Sequence, residues 1–370
     1  MKMKILLSFL AAVSSAAASN YMFWNPDSGA DAALAENYWE FSGNFNNIWS
    51  YPVVYPSNYT GEMKAIDNNY SQVGTYSSAA SLPGASDTVA FIRYERALAD
   101  ADGNPVLDGG NQSYEQRWPE GTVFSESYSV GTMLVRGPSS MSLGGAAASS
   151  ESFLLETGNL MIGYTTLSIK RSSDARQTRF EISVADTLKV ECGSSDNVYF
   201  GSGGSDGFID KISAGYLQVM GNVHMFARQM EFSNVTINDP GEMLYLYFDN
   251  SIFDSAGAVV RIDGNLKKGS GKSDAAVALD FSNADFSGVS AGDRIVLVSA
   301  GMMENFDADD PYRDFTVEGL EAFLPEGLSG VLAWNSGQLQ LSIVPEPSAA
   351  AAVCAAAAAI ALASRRRRGK

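Results

Sequence analysis

Histidine and cysteine, which often carry out acid–base and nucleophilic chemistry near neutral pH, are rare in this sequence. The chain has one histidine, His224, and two cysteines, Cys192 and Cys354. Because side chains alternate along a strand, His224 should point away from Val223 and Met225, towards solvent or a ladder of stacked side chains. A catalytic histidine needs a nucleophile and an orienting acid close in space, and no sequence pattern supplies them. We therefore expect no catalytic site.

The two cysteines cannot form a disulfide framework. Cys354 lies in an alanine-rich segment near the end of the sequence. Cys192 follows Leu188 and Val190 at every second position, which predicts a thiol in the core. We therefore expect a fold that does not depend on disulfides.

Several acidic stretches have oxygen ligands at spacings that could suit calcium. Asp100, Asp102 and Asn104 match the first three ligand positions of a calcium loop, but Pro105 replaces its glycine and Asn111 replaces its bidentate glutamate. Turns favour aspartate and asparagine, so a solvated turn is the preferred interpretation and calcium the weaker alternative. For the glycine-rich stretch 201–208 and the acidic stretch 307–314, a solvated turn is likewise preferred and calcium binding is the weaker alternative. No metal and no cofactor is expected.

A glycine-rich segment, Gly269-Ser270-Gly271-Lys272-Ser273, is similar to the end of a phosphate-binding loop. The first glycine of that loop would fall at Leu266. The next predicted strand begins so soon afterwards that no helix fits to offer its N-terminus to phosphate. We interpret this segment as a glycine-serine hairpin.

The charge balance limits the classes of partner. There are 42 acidic and 25 basic residues, and the net charge is −17. A nucleic-acid-binding surface needs clustered basic residues, so no nucleic acid partner is expected. Carboxylate pairs could in principle make a glycosidase, but nothing in their spacing supports one. The chain is predicted not to be an enzyme.

Three tryptophans, Trp24, Trp39 and Trp49, lie in an aromatic-rich stretch before the main body. Their rings could stack on sugars, or they could seal the open end of a stack of strands. We favour the sealing role.

Residues 82–91 then read Leu-Pro-Gly-Ala-Ser-Asp-Thr-Val-Ala-Phe. A tryptophan-rich opening followed by such a segment loosely resembles the start of autotransporter-type passenger solenoids.

The rest of the body indicates β-structure, because short apolar or alternating runs are separated by Gly, Asn, Asp and Ser. The predicted strands are 88–93, 131–135, 159–164, 180–184, 187–192, 207–212, 216–220, 222–226, 230–232, 235–237, 243–248, 258–262, 275–281, 294–299, 330–334 and 338–344.

The expected fold class is all-β, with a right-handed β-solenoid or β-helix-like body and a β-sandwich as the alternative. Between the two ends of the chain, the best helix candidate is 30–38. In the strand around Tyr245, the side chains of Leu244, Leu246 and Phe248 should point one way and those of Tyr245 and Tyr247 the other.

The beginning of the sequence has the pattern of a secretory signal peptide over residues 1–18. Lys2 and Lys4 precede an apolar stretch, and three small residues, 16–18, end it. We then expect an aromatic-rich capping region over 19–90, the β-body over 91–343 and a separate tail over 344–370.

The tail contains three parts in order. An extended, proline-containing motif comes first, because proline disfavours helix. An alanine-rich apolar segment, 349–363, follows, and it is short for a membrane span. A basic cluster that would remain cytoplasmic ends the tail. The motif residues are Val344, Pro345, Glu346 and Pro347, and the basic residues are Arg365, Arg366, Arg367 and Arg368.

This tail closely resembles the PEP-CTERM sorting signal of Gram-negative bacteria. The resemblance implies recognition and cleavage by an exosortase after signal peptidase has acted, with the C-terminal helix held in the membrane until then. It also implies delivery to the cell envelope, the cell surface or the extracellular matrix. We therefore expect an exported structural protein of the surface or matrix. The alternative is a carbohydrate-binding module or adhesin with a surface polysaccharide as its partner, and a polysaccharide-degrading β-helix enzyme is the less favoured third option.

Overall fold

The residues described below come from a computed structural model. They are 21–24, 31–43, 53–56, 63–66, 72–92, 94–98, 100, 106–117, 121–136, 140–143, 152–163, 166–172, 179–192, 196–204, 206–238, 241–254, 257–270 and 275–346.

The strands in these residues are β1 (Tyr21–Trp24), β2 (Tyr38–Gly43), β3 (Val53–Pro56), β4 (Met63–Ile66), β5 (Gln72–Ser78), β6 (Thr88–Ile92), β7 (Tyr94–Ala97), β8 (Leu107–Asp108), β9 (Asn111–Gln112), β10 (Tyr114–Arg117), β11 (Thr122–Phe124), β12 (Tyr128–Arg136), β13 (Ser140–Leu143), β14 (Ser152–Gly163), β15 (Leu167–Arg171), β16 (Arg179–Glu191), β17 (Asn197–Phe200), β18 (Lys211–Met220), β19 (Asn222–Phe226), β20 (Met230–Ile237), β21 (Leu244–Asp249), β22 (Val260–Lys268), β23 (Val277–Asn283), β24 (Arg294–Glu304), β25 (Phe315–Glu318), β26 (Leu328–Asn335) and β27 (Gln338–Pro345). Short helical turns occur at Ala35–Asn37, Ser251–Asp254, Phe286–Gly288, Pro311–Arg313 and Leu320–Phe323.

Two large sheets organise these strands. Sheet A has 14 strands in the order β26-β27-β24-β22-β20-β18-β16-β14-β12-β6-β1-β2-β5-β4. Sheet B has eight strands in the order β11-β13-β15-β17-β19-β21-β23-β25. From β11 to β24 the chain alternates between the sheets, one strand in each, and neighbouring strands within this region are parallel. The protein is thus mostly β, with parallel sheets compatible with the expected β-helix-like body, and the antiparallel pairing of an ordinary β-sandwich is not the pattern here.

Parallel stacking aligns side chains from successive turns into columns inside the body. In one column, each residue lies in register with the next and all of them are buried: Val135, Ile162, Val190, Val219 and Ile237. Full burial of an aliphatic side chain of this size contributes about 1.5–3 kcal/mol. Such columns, rather than disulfides, stabilise the stack, and Cys192 lies in the same core as a buried thiol, as predicted.

The predicted strands mostly agree with the structure. The runs 180–184 and 187–192 are two halves of β16, separated by a β-bulge after Val184. The predicted strand 207–212 is wrong over its first half. Ile209 makes only an isolated bridge with Ala227, and β18 begins at Lys211.

The predicted helix over 30–38 is also wrong over the described residues. A single turn at Ala35–Asn37 leads directly into β2, which begins at Tyr38. The Tyr38 hydroxyl donates to the carbonyl oxygen of Ala32 at 2.8 Å, and Asp31 Oδ1 accepts from the Ala33 N–H at 2.9 Å. Side-chain hydrogen bonds to the local backbone compete with a helix, which explains the difference.

The strands that flank the glycine-serine segment 269–273 do not pair with each other, so the predicted hairpin is wrong. The strand before it, β22, belongs to sheet A, and the strand after it, β23, belongs to sheet B. The segment therefore begins a connection between the two sheets, and residues 271–274 lie outside the described part.

Several glycines permit close backbone approach where the long strands of sheet A bend. Gly215 lies at the bend of β18, where a Cβ atom would be only 2.7 Å from the carbonyl oxygens of both Ala185 and Asp186. Alanine therefore cannot fit here unless the backbone of the neighbouring turn moves.

We expect Gly215→Ala to lower the free energy of unfolding by about 1–3 kcal/mol, because it overpacks a backbone contact. Gly288→Ala is the matched control, since a Cβ atom added at Gly288 would have no other atom within 4 Å. Denaturant unfolding of both variants measures the difference. Equal stabilities would contradict the close approach at Gly215.

The last strand extends beyond the predicted end of the body at residue 343. In β27, Val344 and Pro345 lie opposite Ser329 and Leu328 of β26, and the Glu346 N–H donates to the carbonyl oxygen of Gly327 at 2.9 Å. The first three motif residues are therefore integrated into the C-terminal hairpin. Pro347, the alanine-rich segment 349–363, the basic cluster 365–368 and the signal-peptide stretch 1–18 lie outside the described residues.

The described part of the chain contains no helix with the length and apolar character needed to cross a membrane.

Candidate functional site

The most distinctive group of side chains lies on the outer face of sheet B. Tyr199 of β17, His224 of β19 and Tyr245 of β21 are in register on adjacent parallel strands. Their ring centroids are 4.4 Å apart between Tyr199 and His224 and 4.2 Å apart between His224 and Tyr245, with nearly parallel planes. We call these three residues the aromatic ladder. They point outward because the residues on either side of each, such as Val223 and Met225, fill the core.

A second stack lies beside the aromatic ladder. The rings of Phe226 and Tyr247 are parallel, with centroids 3.7 Å apart, and Phe208 meets Phe226 edge-on at 5.7 Å. Tyr245 and Tyr247 are half-buried on the outer face, whereas Leu244, Leu246 and Phe248 are buried, so the predicted alternation along β21 is confirmed.

His224 is held by hydrogen bonds at both ring nitrogens. Nδ1 is 2.9 Å from the Tyr247 hydroxyl and Nε2 is 3.1 Å from Asn197 Oδ1. Since an amide oxygen only accepts, Nε2 carries the proton and Nδ1 accepts from Tyr247, which satisfies a neutral imidazole completely. Burial lowers the pKa of His224 to about 4. The prediction of a ladder histidine is confirmed.

This arrangement predicts a pH effect on stability. The pKa of His224 is about 6.5 when unfolded and about 4 when folded, so the unfolded chain binds the extra proton between these values. The stabilisation is complete above pH 6.5 and decreases as the pH falls towards 4, by at most about 1.4 kcal/mol per pH unit.

His224→Phe keeps a stacking ring and removes the titration. Denaturant unfolding at pH 7 and pH 5 should therefore give a smaller loss of stability for this variant than for the wild type. An identical loss in both proteins would show that His224 does not titrate as described.

The two ends of the aromatic ladder border on small residues. Ser168 lies in register with Tyr199, and Ala278 lies in register with Tyr245. Within the described residues, no further ring stacks on the outer side of either tyrosine. Both terminal tyrosines are partly exposed, so a part of each ring is accessible for an apolar contact.

Two carboxylates lie close to the second stack. Asp280 of β23 is in register with Tyr247, and Glu318 of β25 is in register with Asp280. Burial, followed by the negative charges of Asp280 and Glu318, raises the pKa of Tyr247 to about 12. The outer face therefore combines aromatic rings, hydroxyl groups and carboxylates, a set that can contact sugar rings and hydroxyls.

The three tryptophans considered for sugar stacking lie elsewhere. Trp24 and Trp39 are 3% and 7% exposed. The Trp24 ring contacts Tyr38 and Phe91 at centroid distances of 5.3 and 5.6 Å. A ring buried in this way has no face for a ligand, which favours the capping interpretation for these two residues. Trp49 lies outside the described residues.

The acidic stretches are used in turns where they are described. Asp307 Oδ1 accepts from the backbone N–H groups of Asp309 and Asp310, and Asp314 is buried. Asp100 is exposed, while Asp102 and Asn104 lie outside the described part. Over the residues with assigned positions, no group of three His, Cys, Asp or Glu side chains is arranged to hold a metal ion.

A groove of about 610 Å³ lies between the helical turn Ser251–Asp254 and the start of β24. Its carboxylates are engaged locally, because Asp285 accepts from the Ser287 N–H and Asp293 from the Ser290 N–H. Such hydrogen bonds fix turns, and neither carboxylate is paired with the other as an acid and a base would be.

Two features of the molecule thus bear on function: the outer face around the aromatic ladder and the C-terminal hairpin that contains Val344 to Glu346. Sequence reasoning placed His224 on a ladder face but missed the partners on β17 and β21, because their register depends on the lengths of the intervening loops. No family model, curated protein or solved structure matches the chain.

Proposed function

We propose that this protein is an exported structural component of a bacterial cell surface or extracellular matrix, delivered by cleavage of its C-terminal tail. The observation that carries the proposal is the order of three tail segments: the Val344–Pro347 motif, which begins within the last strand, the apolar segment 349–363 and the basic cluster 365–368. This order resembles the PEP-CTERM sorting signal. Signal peptidase and an exosortase would be its transient partners, and the apolar segment would hold the chain in the membrane before cleavage.

The β-helix-like body suits this role. Parallel turns stacked on a continuous core give a rigid, elongated shape, with terminal strands that protect the ends. We propose that the stack is a right-handed solenoid, the hand that parallel crossover connections nearly always take. The full sequence has a net charge of −17, and the body without the basic ends would be more negative still, which would keep it soluble outside the cell.

The C-terminal hairpin also supports tail processing. Backbone hydrogen bonds hold the chain as far as Glu346, which donates to Gly327. Removal of the residues after Glu346 would therefore leave the pairing between β26 and β27 intact.

Cell fractionation of a protein with an internal tag tests the proposal. We expect the protein in the surface or extracellular fraction, shorter than the full sequence at its C-terminal end. Recovery only from the cytoplasm would contradict it.

A second candidate, carbohydrate binding, is favoured by the outer face of sheet B. Tyr245 is partly exposed on this face, with Asp280 and Glu318 nearby on the following strands. The acidic surroundings favour a neutral polysaccharide over an acidic one, because like charges repel.

We expect Tyr245→Ala to weaken binding to a neutral polysaccharide by about tenfold, which corresponds to about 1.4 kcal/mol. Tyr216→Ala is the matched control, since Tyr216 is a half-buried tyrosine on sheet A that donates to Thr236. Affinity electrophoresis in gels containing neutral glucans would measure both. Equal retardation of the two variants would argue against this binding face.

A further inference from the structure

One buried pair of side chains interrupts the apolar interior near the C-terminal end of the stack. Lys268 is the last residue of β22 and continues the column in which the five preceding positions, ending with Ile237, are aliphatic. Its side chain is 4% exposed, and that of its partner Asp314 is 0% exposed. The five preceding turns all place an aliphatic residue at this position. A buried lysine here needs a specific reason, because burial of charge is costly.

The two side chains face each other within hydrogen-bond distance. Lys268 Nζ donates to Asp314 Oδ1. The other carboxylate oxygen, Oδ2, accepts from the backbone N–H of Asp307 at 2.5 Å. The nitrogen and the carboxyl group are thus both oriented, and the second oxygen already has a hydrogen-bond donor.

Aromatic rings close the site. The Phe306 ring centroid is 5.7 Å from Lys268 Nζ, and Phe315 packs against Phe306 at 5.5 Å. The Asn305 side chain donates to the carbonyl oxygen of Lys268, and Asp314 accepts from the N–H of Ala276 through its own carbonyl oxygen. The backbones on both sides of the pair are therefore fixed as well.

From this geometry we propose that Lys268 and Asp314 condense to an intramolecular isopeptide bond. Because both side chains are buried, proton transfer from the ammonium group to Oδ1, which leaves an uncharged amine and an uncharged carboxylic acid, is favoured over a separated pair of charges. The amine nitrogen attacks the carboxyl carbon, and the negative charge that develops on Oδ2 is stabilised by the Asp307 N–H. The bond between the carbon and Oδ1 then breaks, and Oδ1 leaves as water with the proton it received and one proton from the nitrogen.

The reaction balances without an oxidant or any other reactant: an ammonium group and a carboxylate give one amide and one water molecule. Fixed proximity of the two groups supplies the effective concentration that such a condensation needs. The amide would join the end of β22 in sheet A to the residue before β25 in sheet B. It would give a body with a single cysteine, Cys192, a covalent link between its sheets.

Mass spectrometry of the denatured full chain tests the proposal. The wild-type protein should be lighter than the mass calculated from its sequence by one water molecule. Digestion with a glutamate-specific protease should give one branched species in which the fragment 243–304, with Lys268, is joined to the fragment 305–318, with Asp314. The peptide map does not depend on how the ends of the chain are processed.

Two variants make the assignment specific. Lys268→Arg should have the full calculated mass, because arginine cannot form this amide. Lys267→Arg should still lack one water molecule, since Lys267 is a half-exposed neighbour that pairs with Glu304. Wild-type protein with the full calculated mass and separate linear peptides would overturn the proposal and leave a buried ion pair. The mass and the peptides of the wild-type protein alone therefore decide whether the amide exists, even if Lys268→Arg does not fold.

Discussion

Deletion of residues 347–370 should remove nearly all of the protein from the cell surface while leaving its body folded. The deleted residues contain the last motif residue, the apolar segment and the basic cluster, which we propose to be the processing and sorting signal. The retained chain ends at Glu346, whose N–H donates to Gly327 and completes the hairpin. Immunodetection on intact cells, with thermal unfolding of the purified protein, measures the two effects separately.

A second variant replaces the four arginines 365–368 by glutamine and so removes their charge while keeping the length of the tail. Loss of the positive charge should reduce surface delivery, because basic residues keep this end in the cytoplasm. Unchanged surface delivery of the deleted protein would contradict a sorting role for the tail. Loss of folding after deletion at 347 would contradict the placement of the last strand.

Asp314→Ala is expected to lower the free energy of unfolding by about 3–5 kcal/mol. The substitution leaves the Lys268 amino group buried without a partner, and a lone buried charge costs much more than a paired one. The loss is expected whether an ion pair or an amide joins the two residues. Urea unfolding monitored by tryptophan fluorescence and by circular dichroism would measure it.

Two comparisons identify the cause of this loss. The double variant Lys268→Met and Asp314→Ala should recover part of the stability, because no unpaired charge remains and methionine continues the aliphatic column. Asp263→Ala breaks an exposed pair with Arg261 and should leave the free energy of unfolding almost unchanged. Equal losses for Asp314→Ala and Asp263→Ala would contradict the buried environment of Asp314.

Strand positions could be predicted from the sequence where one face of the strand is buried and the other is not. Along β21, the apolar residues Leu244, Leu246 and Phe248 alternate with Tyr245 and Tyr247, and the structure repeats this alternation in its burial. The period of two is a local property, so it requires no knowledge of neighbouring strands.

The stacking of turns could not be predicted in the same way, because the turns differ in length. Leu217 lies opposite Val235, and Val235 lies opposite Leu266, so the two successive steps along the chain are unequal. Turns of unequal length give no repeat of fixed length in the sequence.

The same variation concealed both side-chain sites. Tyr199 and Tyr245 join His224 only through strand register, and Lys268 meets Asp314 only because β22 and β25 belong to different sheets around one core. The residues next to them in the sequence give no indication of these contacts.

The intact mass of the protein isolated from the cell surface decides whether the tail is a processed sorting signal. We predict a chain that starts after the signal-peptide stretch 1–18 and that has lost the basic cluster 365–368 but retains the folded hairpin through Glu346. A surface-isolated protein that still carries the four terminal arginines would contradict cleavage of the tail and the sorting role proposed for it.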